Sequence, residues 1–322
     1  MGYITRYGSF WGMIPETSGR VFWVAPAASY TVEGRTYVAS DGNDGLSPER
    51  ALLTADYAVG LTTANVGDVI VLLNGAHSVS ATITVDIAGI TITGLPGSAA
   101  VPGSRMASGG NRNQSRITST ETAGMIFTVT AADVEICWLH LNPIAAGAGI
   151  SASNAADFLY VHDCTFAMDT AEGTATFGIT FPLGTGTTTA NDNSVVRNCY
   201  FLVTGNQGPA IRAAGTAIGL SIENSTFELR GATSWDDAIE NTLAAGSINW
   251  KLRDLDFHAP SITVVITDCY EQAGTAPDGG TAAYRCYFPQ ASDGFEATAT
   301  VDIMCAECYL ATSTSGAITG SS

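Results

Sequence analysis

The chain has 322 residues, of which 46% are hydrophobic and only 13% charged, which excludes a disordered chain and suffices for one large core. The formal net charge is −17 and Lys251 is the only lysine, so the basic stripe that nucleic acid needs is absent and an anionic membrane surface is disfavoured. No apolar run of about 18 residues predicts a membrane span, and seven cysteines imply no disulfide framework.

Residues 1–35 read as an arm that precedes any repeat. They carry Tyr3, Tyr7, Phe10, Trp11, Phe22 and Trp23. Aromatic side chains dominate interface anchors, so these six are the expected partner-binding residues. Packing on the rest of the domain is the alternative. The opening stretch lacks a basic region followed by a long apolar one, so no secretory signal is expected and folding in a reducing cytoplasm is.

Residues 36–322 read as one domain. Asp41, Asn43 and Asp44 match a calcium loop only loosely in spacing, and no metal or cofactor is expected. The run SPERALLTADYAVGL then predicts a capping helix, with Ser47 as N-cap, Pro48 at its first position and Glu49 in its first turn. Strand-like stretches follow at 68–79 and 82–95.

From there the sequence repeats. Seven segments, from VEICWLHL at 134–141 to IMCAECYL at 303–310, align on three apolar or small columns. The last column reads Leu141, Phe166, Phe201, Phe227, Phe257, Phe288 and Leu310. Two residues earlier stand Leu139, Cys164, Cys199, Ser225, Leu255, Cys286 and Cys308. Five earlier stand Ile136, Val161, Val196, Ile222, Leu252, Ala283 and Cys305. A step of two fits a strand, but the step from two to five demands a corner if all three columns face inward. Asp163, Asn198, Asn224 and Asp254 stand there and tolerate the left-handed backbone that a corner needs. Trp138, Arg285 and Glu307 depart from this type, so a non-uniform corner is expected. A further ladder, Ile126, Ile150, Ile179, Ile211, Ile239, Ile266 and Phe295, often preceded by Gly or Ala, predicts a third strand per coil. Coils of this length stack into an all-β parallel β-helix roughly 35–45 Å long at about 4.8 Å per coil.

The run TYVASDGNDGLSPERALLTADYAV, then GDVIVLLNG, then ITVDIAGITITGL, resembles the opening of pectin-lyase-like proteins. The Asp/Asn corners resemble the asparagine ladder of pectate lyases. This implies a right-handed parallel β-helix with a short N-terminal capping helix, over about residues 36–318. It does not imply an activity, because the fold hosts lyases, hydrolases and inert spikes. The arm and layout also resemble small structural proteins of tailed-phage virions. That likeness implies a nonenzymatic capsid decoration, head spike or tail-associated spike, located on the virion. It would dock on capsid or tail proteins as a homotrimer, with mates or another protein covering a C-terminus that shows no convincing cap.

The outward columns hold the candidate interface residues. One contains His162, Arg197, Glu223 and Arg253, with alternating charge over its last three. Another contains Tyr200, Tyr287 and Tyr309, which suit a neighbouring subunit or a host-surface glycan. The cysteines of the inner columns are expected to pack as small apolar residues. For catalysis the best cluster is Asp236, Asp237 and Glu240, since glycoside hydrolysis uses two carboxylates ~5–9.5 Å apart. It supports the alternative of a polysaccharide depolymerase or lyase of the tailspike kind. A passive glycan-binding module is the third reading.

Overall fold

In a computed structural model, residues 17–95, 115–120, 124–143, 147–168, 177–182, 191–204, 208–215, 217–231, 234–242, 249–259, 265–272, 281–288, 291–297 and 303–310 are described. Three parallel sheets of ten, nine and eight strands run the length of the chain. Each complete coil contributes one strand to each. The first sheet starts at Val21–Val24 and Val69–Leu72 and ends at Ile303–Ala306. The second runs from Gly75–Val79 to Tyr309–Leu310, and the third from Ile83–Val85 to Ala291–Ala297. Ten strands at the inter-strand spacing give a stack of about 43 Å, within the expected length.

The three inward columns are buried wherever their side chains are described, except that Cys305 and Cys308 at the last coil are half-buried. Phe166, Phe201, Phe227, Phe257 and Phe288 form one continuous stack, with ring centroids 4.8, 4.9, 4.8 and 5.1 Å apart. Strand spacing and ring-stacking distance coincide, so one residue type can fill the column from coil to coil.

The corner is more regular than its residues. Trp138, Asp163, Asn198, Asn224, Asp254, Arg285 and Glu307 all have φ between 46° and 57°. The expected non-uniformity is therefore one of side chain, not of backbone. A second left-handed corner precedes the first sheet, at Asn65, Gly89, Asp133, Phe158, Asn193, Gly219 and Asn249.

The isoleucine ladder needs correcting at two coils. The register runs Phe127, Ile150, Ile179, Ile211, Ile239, Tyr270, Phe295. Phe127 and Tyr270 therefore replace Ile126 and Ile266. The residue before each Ile explains the Gly/Ala preference. A Cβ on Gly178 would lie 2.6 Å from the Ala210 carbonyl and 2.9 Å from the Phe201 ring. Gly149 faces Phe166 in the same way. Cys269 stands in this small-residue column and is fully buried.

The N-terminal end departs most from the sequence reading. Phe22 and Trp23 are not on an arm. They belong to Val21–Val24, which pairs in parallel with Val69–Leu72, and are 2% and 1% exposed. A strand can join a later coil because Val69–Leu72 supplies its hydrogen-bonding edge. A boundary at 35 therefore separates Val21–Val24 from the rest of its sheet. Tyr3, Tyr7, Phe10 and Trp11 lie outside the described residues. The capping helix α1 is Ala55–Leu61, with Thr54 rather than Ser47 as N-cap. The Thr54 hydroxyl accepts from the Tyr57 N–H at 3.3 Å. Ser47 precedes a three-residue 3₁₀ turn, Pro48–Arg50, and makes no side-chain cap bond. Asp41 is used within the chain, accepting from the Leu53 and Thr54 N–H groups at 2.9 and 3.0 Å.

Two stability tests follow. Phe201→Ala opens the centre of the stack and should cost about 3–5 kcal/mol, read from denaturant unfolding. His77 is buried, which pulls its imidazole pKa down to about 4 despite a 2.7 Å hydrogen bond to the Leu73 carbonyl. Its folded pKa lies below the unfolded value, so its neutral form stabilises fully above about pH 6.5. That contribution is lost as the pH falls toward 4. A Tm–pH curve should decline through this window, and His77→Gln should flatten the decline.

Candidate functional site

The third sheet repeats an acidic motif on successive coils. Trp235–Asn241, Ile266–Gln272 and Ala291–Ala297 are neighbouring strands of that sheet. Their register sets Asp237 beside Asp268 beside Asp293, and Glu240 beside Glu271 beside Glu296. One motif, Asp-x-apolar-Glu, thus recurs on three successive coils. Glu240 and Glu271 are half-buried neighbours whose like charges repel, whereas Asp268 is 6% exposed.

One offset is visible. Arg212 stands in register with Glu240 on the preceding coil, with Nε 3.1 Å from Oε2. The same guanidinium lies 5.2 Å from the Phe177 ring centroid. Burial raises the Glu240 pKa, the Arg212 charge lowers it, and Glu271 raises it again, with a net rise. This carboxyl therefore holds its proton more tightly than an ordinary glutamate. Asp236, Asp237 and Glu240 are brought onto a single strand rather than a loop. Asp236 is exposed while Asp237 and Glu240 are half-buried. Asp236 belongs to neither acidic column. The convergence that counts is between coils, and Asp268, Glu271, Asp293 and Glu296 were missed. The repeated motif was a readable signal, but aligning Ile266 instead of Tyr270 shifted that coil out of register.

The other outward residues are dispersed. Arg197, Glu223 and Arg253 do stand in register. Among the described residues, no ion pair within 4.0 Å joins them. Glu223 Oε1 accepts from Ser221 Oγ at 2.8 Å, and Arg253 Nε lies 3.3 Å from Asp254 Oδ2. The expected charge ladder is therefore an alignment without contacts. The tyrosine column is also broken. Tyr287 is exposed, but Tyr200 is only 8% exposed, and its hydroxyl accepts from Arg230 at 3.3 Å. Thr226 and Asp256 stand between the two tyrosines. The Tyr309 side chain lies outside the described ones.

His162 is the most engaged of the predicted residues. Its Nδ1 lies 2.7 Å from Asp163 Oδ2 and its Nε2 2.7 Å from Glu135 Oε1. Burial alone would lower its pKa, but interactions with Asp163, Cys137 and Glu135 outweigh this and push it up to about 12. Tyr160 stacks on the ring at 4.3 Å. Cys137 faces the same imidazole and is fully buried, and burial raises its thiol pKa.

No protein-family model matches the chain, and no curated protein matches it in sequence. Solved structures do match in shape. Pectin methylesterase PemA from Erwinia chrysanthemi aligns over 93% of this chain and 92% of its own, at 12% identity and a TM-score of 0.54. A pectin methylesterase in complex with a hexasaccharide aligns over 83% and 87%, at 11% identity and 0.52. The fold is a pectin-lyase-like right-handed parallel β-helix. At such identities the likeness carries the fold and no activity. Geobacillus virus E2 ORF18 aligns at a TM-score of 0.37, too loose to argue from.

Within this β-helix, Arg212→Gln should destabilise by about 1 kcal/mol or less at pH 7, the scale of a partly exposed ion pair, since Arg212 Nε has no well-formed hydrogen bond. The share owed to Glu240 should vanish near pH 4, once that carboxyl is protonated, while the share owed to Phe177 should persist. Paired unfolding curves at the two pH values read the difference.

Proposed function

We propose that this β-helix is a nonenzymatic structural component of a virion, a decoration or spike protein that docks by its N-terminal end and assembles as a homotrimer. The carrying observation is where apolar surface is left uncovered. Of the eight large hydrophobic side chains exposed among the described residues, Val38, Leu46, Leu53, Tyr57 and Val66 all fall between 38 and 66. That segment is the N-terminal cap. Apolar side chains concentrated at one end of a strongly acidic molecule suit a docking face. This relocates the anchor. Phe22 and Trp23 are core, and the exposed cap residues take the role first given to them. Tyr3, Tyr7, Phe10 and Trp11 remain part of the proposed anchor. The capsid or tail protein beneath is the proposed partner, and a host-surface glycan is a secondary one.

A polysaccharide-cleaving role is the second reading. It is favoured by Glu240, with its raised pKa, standing beside Glu271 and facing Arg212. A carboxyl whose pKa is raised is suited to act as a general acid.

Cosedimentation with intact virions tests the first reading. The wild type should pellet with particles, and Leu46→Asp with Tyr57→Asp should release it without loss of Tm. Mass photometry at micromolar concentration should give three chains per particle, and a clean monomer would count against the trimer. Oligosaccharide release from acidic host glycans, abolished in Glu240→Gln, would replace the structural reading with the enzymatic one.

A further inference from the structure

The outer face of the first sheet holds a second constellation that neither the docking face nor the acidic columns use. Glu135–Cys137 and Tyr160–His162 are neighbouring parallel strands, with Cys137 in register with His162. Glu135 and Cys137 are two residues apart on one strand, so their side chains leave the same face. A carboxylate oxygen, a thiol sulfur and an imidazole nitrogen thereby lie within 4.8 Å of one another. A tetrahedral metal centre with ligand bonds of about 2.0–2.3 Å sets its ligand atoms roughly 3.3–3.8 Å apart. The cluster is already near that size.

We propose that Glu135, Cys137 and His162 bind one divalent transition-metal ion, best fitted by zinc, between two coils of the β-helix. The ion would take the place of the proton now shared by His162 Nε2 and Glu135 Oε1, 2.7 Å apart. Bonding both atoms requires them to part by only about half an ångström. The surrounding groups are set for this exchange. Asp163 Oδ2, 2.7 Å from Nδ1, fixes the tautomer that leaves Nε2 free for a metal, the arrangement of carboxylate–histidine–zinc sites. Thr91 Oγ1 donates to Glu135 Oε2 at 2.8 Å, holding that carboxylate with Oε1 toward the cluster. Tyr160 stacks on the imidazole and fixes its plane.

The donor set selects the metal. Thiolate with imidazole favours zinc over magnesium or calcium, which take oxygen ligands. Cys137 is fully buried, whereas the Glu135 side chain is 30% exposed. The fourth position therefore opens toward solvent past Glu135, where water or a small anion completes the tetrahedron. A cysteine–histidine nucleophile fits the same atoms less well. The sulfur is closed to solvent, and both imidazole nitrogens face carboxylates, so no free nitrogen is left to act as base. Loss of protons from the thiol and imidazole accompanies metal binding, so affinity should rise with pH.

The test uses the full chain, stripped with chelator and titrated with cobalt(II) as the probe. One cobalt should bind per chain and give a near-ultraviolet thiolate-to-cobalt absorption. That band should be absent in Cys137→Ser and retained in Cys305→Ser, which separates this site from the cysteines of the last coil. Asp163→Asn keeps all three ligands and should weaken binding by about 10–100-fold. Zinc should raise the wild-type Tm and leave that of Cys137→Ser unchanged. If Cys137→Ser does not fold, Asp163→Asn and Glu135→Gln decide the matter in its place. No cobalt uptake at micromolar concentration, a thiolate band that survives in Cys137→Ser, or undiminished affinity in both Asp163→Asn and Glu135→Gln overturns the proposal.

Discussion

Each coil must turn sharply between the first and second sheets while keeping its hydrogen bonds to the next coil. A single left-handed residue meets both demands. Its backbone N–H donates along the stack, from Asp163 to the Arg197 carbonyl, from Asn198 to Glu223 and from Asn224 to Arg253, at 3.1, 3.1 and 2.8 Å. Asp254 and Arg285 continue the series to Tyr284 and Ala306 at 3.0 Å each. The left-handed conformation costs an L-residue about 1–2 kcal/mol, and an inter-coil hydrogen bond returns about 0.5–1.5 kcal/mol. Asn and Asp reduce the cost, and Asn224 adds a 2.6 Å side-chain bond to Asn198. Trp138, Arg285 and Glu307 lack that discount and still adopt the same φ. The neighbouring coils fix the corner, and the residue follows.

That hierarchy explains what could be read from the sequence. Columns whose identity is set by the core were legible, because a strand spacing near 4.8 Å forces like side chains to stack, as in the phenylalanine column from Phe166 to Phe288. The Asx corner was legible where side chain and backbone agreed. It was hidden at the second corner, where Gly89, Phe158 and Gly219 alternate with Asn and Asp. Two further losses had one cause. Tyr270 was passed over for Ile266 because hydrophobicity alone cannot choose between two buried residues four apart. With that coil out of register, Glu271 and Asp268 dropped out of the acidic columns. The strand Val21–Val24 was lost because it pairs with Val69–Leu72, nearly fifty residues later, and nothing local marks it as a coil.

The outer surface obeys the same stacking rule but gains nothing automatically from it. Apolar side chains in register bury one another, whereas charged ones in register repel. The repulsion between Glu240 and Glu271 on the third sheet is such a cost. Arg212 offsets it at one end, against Glu240. The alternating Arg197, Glu223 and Arg253 would offset one another if they met, yet each is engaged elsewhere or left to solvent, and surface pairs of this kind contribute little. Among the described residues, five of the eight exposed large apolar side chains lie between 38 and 66, and Phe158, Tyr287 and Met304 are the other three.

Register also sorts the cysteines, and the sorting carries chemical meaning. Cys164, Cys199, Cys286 and Cys308 share an inward column, Cys305 another, and Cys269 the small-residue column of the third sheet. In those places sulfur serves as a small apolar group, and any residue of like volume would do. Cys137 stands in the outward column instead, beside His162 and two residues from Glu135. It is fully buried there all the same, though packing of the core does not need it. A buried thiol outside the core, next to an imidazole bracketed by two carboxylates, is costly as a purely structural arrangement, because each polar group must be desolvated. A divalent ion would repay that cost with direct bonds, and so the metal reading accounts for both the residue types and their burial.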